Sequence, residues 1–221
     1  MSRTNPLTPI SSMKKILHLC ASLIGSDTRP YQVAGYDVIP VTKDMGVENY
    51  GRGRVYEPPS EVYGIIANPV CTEFSTARSS GKARNPEKGM EMVRECQRII
   101  TECNPHFWVI ENPATGRLKD FLGKPTMTYE PWHYGSPWTK RTALWGKFNI
   151  PKRKYQRWED VPKIPELYVR PNRSKPSLAF LHKKSFYLIP EFMELARPEN
   201  DMEFRSICSQ KFAKAFYEAN L

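Results

Sequence analysis

Short apolar runs recur along the first two thirds of the chain, at residues 16–20, 37–41, 63–67, 107–110 and 142–148. Each has the length of a strand, and the run at 63–67 is continuous enough to be covered on both faces. Between the third and fourth runs the period changes. Asn85-Pro86-Glu87 starts a helix, with asparagine as cap, proline in the first turn and an acid near the positive end of the helix dipole. Met92, Cys96, Ile99 and Cys103 then form one apolar stripe, which Asn104-Pro105 ends. Strands alternating with helices predict an α/β domain with a mainly parallel sheet. In such sheets the working residues gather just beyond the carboxyl ends of the strands. Gly25 follows the first run, Cys71 the third and Glu111 the fourth.

The pattern weakens past residue 150. Residues 151–197 carry more proline and basic residues, and read as a small basic recognition lobe or a surface excursion. Phe212, Ala213, Phe216 and Tyr217 stand at helical spacing and predict, within residues 198–221, a helix that packs back on a core spanning 15–150. Residues 1–14 read as a flexible leader, since they lack the apolar centre of a signal peptide. No run approaches the ~20 apolar residues of a membrane span, so a cytoplasmic protein is expected. The five cysteines include no C-x-x-C pair, which argues against a zinc ribbon or a redox motif. The net charge of +10 favours a polyanionic partner, with nucleic acid the most plausible. Trp132, Tyr134, Trp138 and Trp145 flank Lys140 and Arg141, while Tyr155 and Trp158 sit among Lys152, Arg153, Lys154 and Arg157. Such mixtures suit phosphate contacts combined with base stacking.

Three segments carry candidate chemistry. Asn68-Pro69-Val70-Cys71-Thr72-Glu73-Phe74-Ser75 places a cysteine in a proline-containing loop just past a buried strand, where a thiolate could serve as nucleophile. Glu111-Asn112-Pro113-Ala114-Thr115-Gly116 follows the next apolar run with an acid that could protonate a ring nitrogen. Tyr134-Gly135-Ser136-Pro137-Trp138-Thr139-Lys140-Arg141-Thr142 is a tight turn leading two cations into a strand. In this order the three resemble the motifs of the cytosine-C5 methyltransferases, most closely the short phage-type members. The segment from Arg205 to Lys214 is a weak form of that family's last motif.

The resemblance implies a Rossmann-like class I methyltransferase fold, with helices on both faces of the sheet and a small irregular C-terminal lobe. It implies DNA as the partner and S-adenosylmethionine, or a modified analogue, as donor. Cys71 would add to C6 of the base, Glu111 would meet N3, and Arg141 or Lys140 would stand at the base carbonyl. Cys20, Ser22, Gly25, Thr42, Lys43, Asp44, Asn68, Pro69 and Ser209 fall where the family binds its cofactor. The donor half departs from the family pattern. Of the two glycines of the first motif only Gly25 remains, with Ser22 or Ala21 in place of the other. The acid expected after the second strand is replaced by Thr42 or Lys43, with Asp44 one step later. The loop cysteine follows Pro69-Val70 where the family has two prolines. Two further readings therefore stand beside the methyltransferase. One is C5 chemistry on RNA or a nucleotide, or with another one-carbon donor. The other is an inactive relative that binds nucleic acid or protein. The short 151–197 segment leads to the expectation of salt-sensitive binding with little sequence preference.

Overall fold

The computed structural model describes residues 13–22, 24–42, 56–76 and 84–221. Its centre is a six-stranded sheet built from β1 (Lys15–Leu19), β2 (Asp37–Val41), β3 (Val62–Ala67), β4 (Phe107–Pro113), β5 (Met127–Tyr129) and β6 (Thr142–Lys147). The strand order is β2-β1-β3-β4-β6-β5. The first four strands in that sheet pair in parallel, and β6 runs antiparallel to both β4 and β5. The expected mainly parallel sheet is therefore present. The pattern along the chain did not anticipate the three-residue β5, which is too short to show periodicity, or the reversed direction of β6.

Both faces of the sheet are covered. Helix α2 (Pro86–Cys103) turns Val93, Cys96 and Ile99 onto Leu17, Leu19, Ile65 and Ile110. The opposite face carries Ile16, Ile66, Phe107, Val109 and Leu144. It packs against Tyr31 of α1 (Arg29–Val33) and against Phe212, Ala213 and Phe216 of α5 (Gln210–Ala219). This division follows from the two-residue period of each strand. The α2 boundaries are those its caps predict: the Asn85 side chain accepts a hydrogen bond from the Lys88 amide, and Asn104 closes the helix in the left-handed conformation. Besides α3 (Lys119–Leu122), one more helix precedes α5, namely α4 (Asp201–Ser206).

Phe107 lies directly opposite Gly64 in the β3–β4 pairing. A β-carbon on Gly64 would fall 2.2 Å from the Phe107 ring, which is itself buried against Tyr31 and Phe216 and cannot swing away. Gly64→Ala is thus expected to destabilise the domain by roughly 1–3 kcal/mol through overpacking, measurable as a lowered urea midpoint. An unchanged midpoint would mean that the ring yields more easily than its neighbours suggest.

Residues 151–197 contain neither an α-helix nor a strand longer than an isolated bridge; their regular structure is a set of 3₁₀ turns. They nevertheless have an apolar centre. Leu178, Leu181, Phe186, Ile189 and Phe192 surround Trp138 and reach Phe204 and Ile207 of the following segment. Trp138 belongs to the turn that precedes β6, so this packing ties the 151–197 segment to the cations at the start of that strand. Thr139 reinforces the tie: its amide donates to the Pro176 carbonyl at 2.9 Å, and its own carbonyl accepts from the Leu178 amide.

Candidate active site

The parallel register places the two chemical loops side by side. Ala67, the last residue of β3, pairs with Ile110 of β4. Beyond that level β3 ends and its chain turns through Asn68 and Pro69 to Cys71, while β4 continues with β6 alone. Glu111 therefore belongs to strand β4, where the sequence placed it just after a strand. Its pairing with Leu144 of β6 extends the strand by three residues past the end of β3. This extension holds the carboxyl on a rigid element at the carboxyl edge of the parallel sheet.

Asparagine side chains connect the loops. The Asn68 amide nitrogen donates to Glu111 Oε2 at 3.2 Å, and the Asn112 amide nitrogen donates to the Pro69 carbonyl at 2.9 Å. With its nitrogen turned to Glu111, Asn68 presents its oxygen to His18 Nε2 at 2.9 Å. The neutral His18 ring then carries its proton on Nε2 and leaves Nδ1 to accept from the Thr28 hydroxyl at 3.4 Å. His18 is buried in the middle of β1, and burial lowers its pKa, which keeps it uncharged. Sequence reasoning overlooked it. The available signal was a histidine between two leucines of a strand otherwise read as core. Asn68→Ala leaves the buried His18 N–H without an acceptor, so a loss of about 1–3 kcal/mol is expected in urea unfolding. Wild-type stability in that variant would show that His18 finds another partner.

Electrostatics sets the protonation states. Burial pushes the Glu111 carboxyl above the usual carboxylate range, and Asp27 pushes it further; the Lys140 ammonium and the Asn68 amide oppose this. Cys71 is an exposed residue in the sense that part of its surface meets solvent. Its sulfur is nevertheless crowded by protein, and loss of water around it is the main cause that raises the thiol pKa. The Glu111 charge adds to that rise, whereas Lys140 and Arg84 counter it. Cysteine and glutamate each favour the proton-bearing form, and Lys140 acts on both. Lys140 is itself anchored, its ammonium donating to the carbonyls of Ser206 at 2.8 Å and Ile207 at 3.1 Å. Arg141 is exposed at the entry to β6, and its charge is felt by Glu130 rather than by Cys71 or Glu111. Of the two cations, it is thus Lys140 whose charge acts on the cysteine and glutamate.

The residues expected at the cofactor divide into three sets. Ser22, Gly25 and Thr42 line a single cavity of about 330 Å³ next to His18, Thr28 and Arg29. Gly25 adopts φ +59, a left-handed turn that a glycine enters without strain. Asn68 and Pro69 stand beside Glu111 and Asn112, in the hydrogen bonds just given. Cys20 and Ser209 are directed elsewhere. Cys20 packs on the α2 face, with its sulfur 3.9 Å from that of Cys96. Ser209 caps α5, accepting from the Phe212 amide and meeting the Ser136 hydroxyl at 2.6 Å. Lys43 and Asp44, expected there too, lie outside the described residues. A separate crevice beneath Glu111, lined by Asp27, Tyr129 and Cys208, measures about 20 Å³ and has room for one water-sized guest.

Fold and sheet order together define a Rossmann-like domain of the class I methyltransferase type. Compared with known sequences, the chain is 30% identical over 104 residues to the "Probable DNA (cytosine-5)-methyltransferase" of Frog virus 3. The match takes in 39% of this chain and 47% of that protein, so the chain spans about half the length of the curated relative it matches. The resemblance carried by the cysteine, Glu-Asn-Pro and Lys-Arg-Thr segments is thus borne out by a similarity to a protein of that name. Among solved structures, the chain is similar to the S. pombe Dnmt2 methyltransferase, with a TM-score of 0.40 and 12% identity over 72% of this chain and 62% of that one. No family model matches. Among the described residues no helix is long and apolar enough to cross a membrane, and no group of side chains is arranged to hold a metal ion.

Proposed function

We propose that this protein is a cytosine-C5 methyltransferase acting on DNA, with Cys71 as nucleophile and Glu111 as its acid. The observation that carries this reading is the bridged pair of segments, in which Cys71 follows β3 and the buried Glu111 lies near the end of the adjacent parallel strand β4. C5 of cytosine is a poor nucleophile. Addition of the Cys71 sulfur to C6 moves ring electron density to C5, and a proton held by Glu111 at N3 neutralises the charge that develops there. The raised pKa of Glu111 suits this task, because burial strengthens the hold of the carboxyl on the proton it shares with N3. Lys140 stabilises the thiolate as it forms and favours its attack. S-adenosylmethionine, when bound, supplies the methyl group that C5 takes up. Loss of the C5 proton and expulsion of the Cys71 sulfur then restore the aromatic ring and the free enzyme.

Nucleic acid as substrate is supported by the basic charge of the chain and by an indole–lysine cluster on the 151–197 segment. Lys175 lies 4.9 Å from the Trp132 ring and 5.4 Å from the Trp158 ring, and Lys163 lies 4.3 Å from Trp158. Such a surface offers phosphate contacts and stacking faces to a polynucleotide. The Ser22–Gly25–Thr42 cavity fits a donor, since the buried Nε of Arg29 on its wall has no hydrogen-bond partner. Incubation with donor carrying a labelled methyl group and with cytosine-containing DNA tests the proposal. Label recovered as 5-methylcytosine supports it, and donor binding without transfer to any cytosine would overturn it.

A further inference from the structure

The cavity beside β1 and β2 holds two charges that have no partner among the described residues. Arg29, at the start of α1, lines it with a buried Nε that has no hydrogen-bond partner. Glu194, which reaches the same cavity from the segment after the 3₁₀ turn at Pro190–Phe192, makes no hydrogen bond or ion pair among the described residues. A guanidinium nitrogen taken from water without a partner costs free energy, and it persists most readily where a ligand completes it. At about 330 Å³ the cavity is at the small end of the roughly 300–1,000 Å³ typical of ligand sites. Its other polar walls, Ser22, Thr28, Gln32 and Thr42, are neutral.

We infer that Arg29 and Glu194 bind the zwitterionic amino-acid end of the donor, Arg29 meeting the α-carboxylate and Glu194 the α-ammonium. The inference rests on the proposed donor chemistry and deepens it. An unpaired cation and an unpaired carboxylate on one wall system match a ligand that carries both signs within a few bonds. They match a purely anionic ligand less well, because Glu194, which solvent reaches, would repel it, and a neutral ligand less well, because it would leave the buried Arg29 Nε without a charged partner. Glu194 lies more than 150 residues from the β2 end in the sequence, so no local motif around Gly25 or Thr42 could have revealed it. The donor site of this chain is on this view completed by the C-terminal segment, which brings an acid to a cavity whose own loops provide none among the described residues.

Calorimetry with the full-length protein separates this inference from the proposed function. S-adenosylmethionine and 5′-methylthioadenosine, which keeps the nucleoside and lacks the amino-acid end, are titrated into wild type, Arg29→Lys, Arg29→Ala and Glu194→Gln. Wild type is expected to prefer the complete donor by at least about tenfold, the size of one charged hydrogen bond. Arg29→Ala and Glu194→Gln should each lose about tenfold or more toward the complete donor and keep their affinity for methylthioadenosine. Arg29→Lys, which keeps the charge and should fold if Arg29→Ala does not, should fall between. Equal wild-type affinity for the two ligands overturns the inference, as does a Glu194→Gln loss of the same size for both, which would assign Glu194 to the nucleoside. Failure of wild type to bind either ligand would count against the proposed methyltransferase itself.

Discussion

Cys71→Ser is expected to lower methyl transfer to cytosine on the order of 10³-fold or more while leaving the fold intact. A serine hydroxyl has nearly the same size as the thiol, but its oxygen is far less nucleophilic at neutral pH, and Lys140 cannot make up the difference. Cys71 sits in a loop with part of its surface in solvent, so the exchange leaves no cavity in the core. The adduct itself can be read directly. A duplex carrying 5-fluorocytosine blocks the last step, because fluorine cannot leave C5 as the proton does. Wild-type protein should then remain covalently joined to the DNA and show the summed mass, whereas Cys71→Ser should release it. A trapped adduct on another cysteine would reassign the nucleophile. The raised thiol pKa adds a sign. Alkylation of Cys71 by iodoacetamide should be slow at neutral pH and accelerate into the alkaline range, because only the thiolate reacts.

Glu111→Gln should separate activity from stability. Glutamine keeps an oxygen to accept the Asn68 hydrogen bond but cannot pass a proton to N3, so transfer is expected to fall by about 10²–10⁴-fold. The effect on folding has the opposite sign at neutral pH. Burial raises the folded-state pKa of Glu111 above its unfolded value, so its contribution to stability is complete below the ordinary glutamate pKa of about 4.5 and is lost as pH rises through the folded value. Wild type should lose this component on going from acid toward neutral pH. Glu111→Gln removes that titration and should equal or exceed wild type in thermal midpoint at pH 7–8. A variant that retained activity would remove Glu111 from the mechanism. One that was less stable at every pH would mean that the charged carboxylate holds the site together.

Most of the sheet was legible in the sequence, since β1 to β3, β6 and α2 lie within a residue or two of the apolar runs and cap signals that predict them, and β4 runs three residues past its own. Local chemistry explains this. A cap such as Asn85 acts on amides three residues away, and an apolar run of five residues has few alternatives to a buried strand. The candidate pair was legible for a related reason, because Cys71 and Glu111 each follow an apolar run and the sheet rule sends such residues to one edge. Other parts of the site were hidden. His18 looked like a core residue until Asn68, fifty positions later, supplied its acceptor. Ser209, read as a cofactor residue, also caps α5, a role that its position in the sequence did not announce. Of the two cations of Lys140-Arg141 the sequence favoured Arg141, whereas in the fold it is the Lys140 charge, anchored on the carbonyls of Ser206 and Ile207, that acts on the cysteine.

The sequence by itself determined the order and type of the main elements, the cysteine and glutamate, and the basic charge, because these depend on neighbours along the chain and on composition. Only the tertiary structure decided that Glu111 lies inside a strand, that β6 runs antiparallel, that Asn68 joins His18 to Glu111, and that Arg29 and Glu194 share a cavity. Each of those facts depends on contacts between residues far apart in the chain, where burial and hydrogen bonding across the fold, rather than local propensity, set position and charge.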